Sequence, residues 1–317
     1  MAIFLDEQQV TELLSVEMAM AAVEDALRQQ GLGTAINNPR TRVRLPTGQL
    51  HMMGGALPTL GVFGYKAYTA VKGKARFHVL LYSAETGELL AMLQADRLGQ
   101  MRTGAASGVA TKYMARADAR SVGLFGTGWQ ARSQLEAVCA VRPIQAVRAF
   151  GRDASRRQTF CAEMSRQLGI PVEPATTPEA TVTGMDVMIT ATNARDPLFD
   201  GNWVGPGTHV NAIGSNALIR REIDETMVRR STLIVVDSKE QARLECGDLL
   251  GPLERGIIHW EQIRELGDVV AGLTPGRRQP SDITLFESHG LAIWDLASAT
   301  SVYRAAHSKG IGRELTV

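Results

Sequence analysis

Residues 121–138 read SVGLFGTGWQARSQLEAV, and the way this stretch folds decides the architecture of the whole chain. A short apolar run, Val122, Leu124 and Phe125, meets Gly126-Thr127-Gly128-Trp129-Gln130-Ala131 and then a helix-like segment. This is the order strand, tight glycine turn, helix N-terminus. Gly126 permits the turn, Gly128 lets backbone approach a pyrophosphate, and Ala131 lets helix pack against strand. The free N–H groups and positive dipole end of the helix would then hold the phosphates of a dinucleotide. Gly126, Gly128, Trp129 and Gln130 are the loop's candidate cofactor contacts, with the Trp129 ring read as packing.

A second strand, 146–150, ends at Gly151-Arg152-Asp153. An NAD-preferring site places Asp or Glu there, roughly 20 residues beyond the glycines, to take the ribose hydroxyls. Position 151 carries no carboxylate, and the Arg152 guanidinium suits a 2′-phosphate. NADP(H) is therefore expected ahead of NAD(H), with Asp153 still able to serve a ribose. Arg156 and Arg157 follow closely.

The rhythm of the chain continues the pattern. Strand-like runs at 122–125, 146–150, 187–190, 209–213 and 233–237 alternate with helix-like ones at 132–141, 155–168 and 220–230, implying a doubly wound parallel sheet of Rossmann type. The region before it differs. Ser15 opens an amphipathic helix that Gly31 is placed to end, and strand-like pieces follow at 41–45, 50–53, 64–69, 78–82 and 89–95. A helix from about 101 to 114 leads into the nucleotide-binding part, and the residues from Ser288 onward read as helical. The expected fold class is α/β. A dinucleotide-binding domain spans 119–287, and an α+β substrate and dimerisation domain is built from 1–118 with 288–317.

The 317 residues exceed what one core usually serves, so two domains are the default. A hydrophobic content of 44% and a charged content of 21% describe a soluble globular protein. The net charge of +1 argues against nucleic-acid or membrane-surface partners. No apolar run approaches the ~18 residues of a membrane span. MAIFLDEQQV is no secretory signal. Cys139, Cys161 and Cys246 are scattered, without metal spacing, and fit a reducing compartment, so the cytoplasm is the expected location and no metal is expected. Glu245 and Asp248 read as helix-start charges. Neither a G-x-S-x-G elbow nor an H-E-x-x-H pair is present.

Several further stretches carry a resemblance: Asn38-Pro39-Arg40-Thr41, Lys66 after Gly-Tyr, Met101-Arg102-Thr103-Gly104-Ala105-Ala106-Ser107, Asn211-Ala212-Ile213-Gly214-Ser215, Glu245-Cys246-Gly247-Asp248 and Thr284-Leu285-Phe286-Glu287-Ser288. With the glycine loop, they make the chain resemble the ornithine cyclodeaminase and mu-crystallin family over essentially its whole length. The resemblance implies a homodimeric oxidoreductase acting on a small imino or amino acid. Arg40, with Arg42 in reserve, and Lys66 would contact the substrate carboxylate. Arg102 with Thr103 would reach the cofactor phosphates, and Thr192, Ile213 and Ser288 would line the nicotinamide side.

One departure separates the chemistries. Cyclodeaminase and alanine dehydrogenase members carry an acid–base Asp where this chain has Asn216, and an amide cannot exchange a proton near neutral pH. Cyclodeamination of ornithine needs repeated proton transfers, to which such groups typically contribute ~10²–10⁴-fold. Reduction of a preformed imine asks less, so a cyclic-ketimine reductase of the pyrroline-2-carboxylate type is the leading expectation. The cyclodeaminase, an alanine dehydrogenase-like enzyme and a non-enzymatic ligand carrier are the alternatives. His51 and His289 are the candidates to replace the missing acid, since imidazole titrates near neutrality.

Overall fold

The computed structural model describes residues 2–316. In chain order the elements are β1 (Ala2–Leu5), α1 (Glu7–Leu13), α2 (Val16–Gly31), β2 (Ile36–Asn37), β3 (Thr41–Leu45), β4 (Gly48–Leu57), β5 (Val62–Val71), β6 (Lys74–Ser83), β7 (Leu89–Gln94) and α3 (Asp96–Met114). There follow β8 (Ser121–Phe125), α4 (Trp129–Val141), β9 (Ala146–Phe150), α5 (Ala154–Leu168), β10 (Val172–Pro174), α6 (Pro178–Val182), β11 (Val187–Thr190), β12 (His209–Ala212) and α7 (Glu225–Arg230). The chain closes with β13 (Leu233–Val236), α8 (Lys239–Glu245), α9 (Gly247–Glu254), β14 (Arg264–Glu265), α10 (Leu266–Val270), β15 (Thr284–Glu287), α11 (Ala292–Lys309) and β16 (Arg313–Leu315). Two compact units result, one from residues up to Ala105 plus those from Gly290 onward, the other Ala106–His289. The division falls inside α3 and just after β15.

The first unit is a mixed sheet in the order β16-β1-β7-β6-β5-β4-β2, with β3 also on β4. Its long central strands alternate in burial. Along β5, Val62, Gly64 and Lys66 are buried while Phe63 and Tyr65 are exposed. The buried face is covered by α11, whose residues Ile293, Trp294, Leu296, Ala297 and Ala299 are buried. Helix α2 starts where Ser15 accepts a hydrogen bond from Met18 N, as the sequence suggests. It runs through Gly31, and the left-handed residue that ends the turn is Gly33, at φ +71°.

The second unit is an all-parallel sheet, β10-β9-β8-β11-β12-β15-β13-β14. Strands β11, β12 and β15 are buried at every position, as a sheet covered on both faces requires. Alternate residues feed two cores. Val122, Leu124, Val187 and Ile189 enter one, and Phe125, Met188, Val210 and Leu285 the other. Strand β8 lies between β9 and β11, so connections leave it in opposite directions and a crevice opens at its C-terminal end.

Several boundaries differ from the sequence reading, and three of them change the setting of a residue or segment singled out above. Helix α3 begins at Asp96 rather than near Met101, which moves Arg102 from the helix start into its second turn. Only Glu225–Arg230 of the expected 220–230 helix is helical, because Asp224 caps it and the backbone N–H groups of Glu222 and Ile223 are taken by Asp248. The C-terminal stretch is a helix only to Lys309; Gly310 turns it at φ +63°, and β16 then pairs antiparallel with β1.

Candidate active site

In the first unit, strand register and helix packing bring charges to a buried place. Lys66 of β5 sits between Met53 of β4 and Val79 of β6 on the covered sheet face, and is 3% exposed. Its Nζ lies 2.8 Å from Oδ1 of Asp295, a fully buried residue of α11. Arg102 Nε reaches the same oxygen at 3.0 Å. Small residues make this convergence possible. A Cβ at Gly99 would lie 2.9 Å from Lys66 Nζ, and one at Gly290 (φ +87°) 2.8 Å from Arg102 Nη1. Burial, reinforced by the Arg102 charge, pushes the Lys66 ammonium down to about 8, against the pull of Asp295.

Arg40 is also buried, with Nε 3.4 Å from Met53 Sδ, whereas Arg42 is half-buried and Arg44 exposed. The gradient singles out Arg40 among the three. His51 is buried, stacked on Tyr68 with ring centroids 4.1 Å apart. Burial, followed by the charges of Arg42, Arg40 and Arg44, pushes its imidazole down to about 4. His51 is therefore neutral throughout the neutral range and is not the shuttle near pH 7 that the sequence suggests. Thr103 turns its hydroxyl back to the Gly99 carbonyl at 2.7 Å. Arg102, expected at the cofactor phosphates, commits its Nε to Asp295.

In the second unit, the glycine loop has the form the sequence predicts. Gly126 adopts φ +105°, and a Cβ there would meet the Ala191 carbonyl oxygen at 2.3 Å. Gly128 is the N-cap of α4 with no side-chain cap, and nothing stands within 4 Å of where its Cβ would be. An uncapped helix start with open space before it suits an anion. Gln130 Oε1 is buried beside it without a partner, while the Trp129 ring is 51% exposed. The residues fit a dinucleotide pyrophosphate.

The ribose end is equally defined. Gly151 faces Thr127, whose Oγ1 would lie 3.0 Å from a Cβ. Asp153 caps α5 by accepting from Arg156 N at 3.0 Å, and Arg157 Nη1 donates to the Gly151 carbonyl at 2.7 Å. Arg152 is exposed.

Past β11 and β12, Glu222 ties the loops together. It accepts from Thr190 Oγ1 at 2.8 Å, from Thr192 N and Oγ1 at 2.6 Å each, and from Gly214 N at 2.7 Å. Burial pushes its carboxyl up to about 7. Ile213 N pairs with the Thr190 carbonyl and Ser288 N with that of Ala212, while Ser288 Oγ is buried without a partner. Asn216 is half-buried in the loop after β12. His289 is fixed by Asp237, which accepts from its backbone N at 2.6 Å and lies 3.4 Å from Nδ1. Ligand atoms of Cys246, Glu287 and His289 lie within 4.8 Å of one another. Burial raises both the Cys246 thiol and the Glu287 carboxyl, and the two hydrogen-bond to each other. Of the expected helix-start charges, Asp248 stands in the first turn of α9, but Glu245 ends α8.

Glu222, Asp237 and Asp295 escaped the sequence reading. Only Asp295 left a signal, as a lone acid within the apolar run Ala292-Ile293-Trp294-Asp295-Leu296-Ala297.

Comparison with known proteins fixes the family. The sequence profile of the ornithine cyclodeaminase/mu-crystallin family matches residues 2–310. The chain belongs to this family. Among solved structures, it is similar to a Thermococcus litoralis Δ1-pyrroline-2-carboxylate reductase in complex with NADH and L-proline, at 36% identity and a TM-score of 0.94, covering 99% of this chain and 100% of that one. It is similar also to an archaeal alanine dehydrogenase dimer with bound NAD, at 35% identity and a TM-score of 0.93, covering 99% of each chain. A Δ1-pyrroline-2-carboxylate reductase of Bacillus cereus is 37% identical over 238 residues, 75% of this chain and 73% of that protein. Among the described residues, no helix is long and apolar enough to cross a membrane.

Proposed function

We propose that this member of the family is a nicotinamide-dependent oxidoreductase that reduces the C=N bond of a small 2-imino acid, with a cyclic ketimine of the pyrroline-2-carboxylate type as substrate. The observation that carries the reading is the buried cation set. Lys66 and Arg102 share a single carboxylate, Asp295, and Arg40 adds its charge near Lys66, which leaves the group net positive and matched to a substrate carboxylate. The family relatives named above act on, or bind, small amino or imino acids. Asn216 in place of an acid weighs against the cyclodeaminase alternative.

The bound cofactor supplies a hydride to C2. Gly126, Gly128 and the start of α4 would hold its pyrophosphate, the Gln130 amide and the Ser288 hydroxyl are further polar groups left for the cofactor, and the exposed Arg152 supplies a guanidinium for a 2′-phosphate. Position 151 carries no carboxylate and is crowded by Thr127, and Asp153 is engaged by Arg156 as the α5 cap, so NADP(H) is the preferred form with NAD(H) also accepted. Arg40 and Lys66 fix the substrate carboxylate, which aligns C2 and removes orientational freedom before reaction.

The second face of the first unit's sheet carries Val43, Leu45, Met52, Phe63 and Tyr65, each more than a third exposed. This apolar surface is the place for a second copy of the chain, in keeping with the dimeric archaeal relative. Tyr65→Asp is expected to shift the sedimentation profile from dimer to monomer.

The function test follows loss of NADPH or NADH absorbance with pyrroline-2-carboxylate, piperideine-2-carboxylate, or pyruvate plus ammonia. Oxidation with a cyclic imine is expected, and Lys66→Ala should lower kcat/KM by ~10²–10⁴-fold while cofactor binding persists. Silence with all three imines, alongside tight cofactor binding, would replace the enzyme with a ligand carrier.

A further inference from the structure

With Asn216 unable to exchange a proton, the nitrogen of a reduced imine needs another source. His51 is pushed down to about 4, first by burial and then by its arginine neighbours, and His289 is already engaged by Asp237 at its backbone N and Nδ1. We propose that the proton comes from Lys66, and that Asp295 is the positioning residue that holds the ammonium in place for the transfer. This rests on the imine-reductase reading above.

The geometry around Nζ supports it. An ammonium carries three N–H bonds, and among the described residues only Asp295 accepts from Lys66. Two N–H directions therefore remain for a ligand, one for its carboxylate and one for its nitrogen. Asp295 is fully buried, and its Oδ1 serves both Lys66 and Arg102 while Oδ2 has no partner at all. An unpaired buried carboxylate oxygen costs free energy that a purely structural ion pair would avoid. Its retention marks a site built for an arriving donor. Glycines at 99 and 290 leave the two cations the space they occupy, so the arrangement is specified from three elements, β5, α3 and α11.

The balance of the step is simple. Hydride adds to C2, and the C=N π pair moves to nitrogen. That nitrogen takes a proton from Lys66 Nζ, so one N–H bond breaks as another forms. The neutral amine of Lys66, beside Asp295, then regains a proton from solvent.

The groups facing Lys66 are Asp295 from α11, Arg102 from α3, Arg40 from the segment before β3, and the rings of Tyr68 and Phe77 at 5.9 and 5.4 Å. With Lys66 at about 8, kcat/KM should fall as pH rises past that value. In Asp295→Asn the two arginine charges act unopposed, so this limb should move to lower pH by about one unit or more, with kcat reduced ~10-fold and cofactor affinity unchanged. Lys66→Arg keeps a carboxylate-binding cation that does not release protons, so it should hold KM within a few-fold yet lose ~100-fold in kcat. An unmoved limb in a folded Asp295→Asn protein, or wild-type-like kcat in Lys66→Arg, would overturn the proposal. If Asp295→Asn does not fold, Lys66→Arg decides alone. A wild-type protein that reduces no imine would instead refute the function on which the proposal rests.

Discussion

Lys66 and Arg102 in the first unit converge on one buried carboxylate, with the Arg40 charge acting on Lys66, whereas Glu222, Asp248 and Glu287 in the second are buried acids held by backbone N–H groups, hydroxyls and a thiol. The two regions bury ionisable groups of opposite kind, bases in one and acids in the other, and hold them with different means. Side chains from distant elements make the first set, so its geometry depends on β5, α3 and α11 folding together. Backbone makes most of the second, so its geometry is fixed wherever the parallel sheet forms. The difference shows in what each region can offer. Side-chain cations with N–H bonds to spare can grip a carboxylate and pass a proton, while an uncapped helix start can only hold an anion still.

The glycine loop gives the sharpest way to break this contrast. Gly126→Ala puts a Cβ into the Ala191 carbonyl at a φ that L-residues rarely adopt, so loop and fold suffer together. Gly128→Ala meets no protein atom, at an ordinary φ of −93°. It should leave Tm nearly unchanged while weakening cofactor binding by ~100-fold, because the methyl fills the space the pyrophosphate needs. Calorimetry and cofactor titration on the two variants separate the effects. A Gly128→Ala protein with unimpaired cofactor affinity would mean that the loop is a plain turn.

Arg152 carries a smaller effect. It is exposed, so its pairing with a 2′-phosphate is screened by solvent and salt. Arg152→Ala should cut the NADPH-over-NADH ratio of kcat/KM by ~10-fold, leaving NADH values unchanged. A ratio near unity in the wild type would return the ribose to Asp153 and make its role as the α5 cap secondary.

How much of this was legible in the sequence follows the same division. The Gly126–Ala131 loop, the β8–β9 spacing and the Arg152 position are contiguous signals, each carried by a few neighbouring residues, and the parallel sheet followed from them. The partner of Lys66 lies 229 positions away in sequence, and no local pattern links the two. An acid in an apolar helix run was the only trace of Asp295. His51 misled because its ordinary titration range was assigned without its surroundings: burial lowers it most, and register places Arg42 directly opposite it, whose charge lowers it further. Glu222 was hidden inside an expected helix that begins three residues later.

Opposite charges should also give opposite pH dependence, and this is the subtlest prediction. His51 titrates at about 4 in the folded protein against an ordinary 6.5, so between those values the unfolded chain binds more protons. Its contribution is present at neutral pH and is lost as pH falls through that window. Glu222 stands at about 7 against an ordinary 4.5, so here the folded protein binds more protons, and its contribution is present at low pH and lost as pH rises toward 7. Between pH ~4.5 and ~6.5 the two slopes oppose each other and the wild-type stability curve is flattened. Removing either group should tilt it: His51→Leu makes stability fall more steeply as pH rises, and Glu222→Gln makes it fall more steeply as pH drops. Denaturant titrations of both variants at pH 5 and pH 6.5 read the tilt directly. The same sign in both would show that one of the two groups is not titrating in the window its burial dictates. His209, pushed to about 3, adds a slope of the His51 sign and is left intact in each variant, so it shifts both curves equally and cannot mimic the difference.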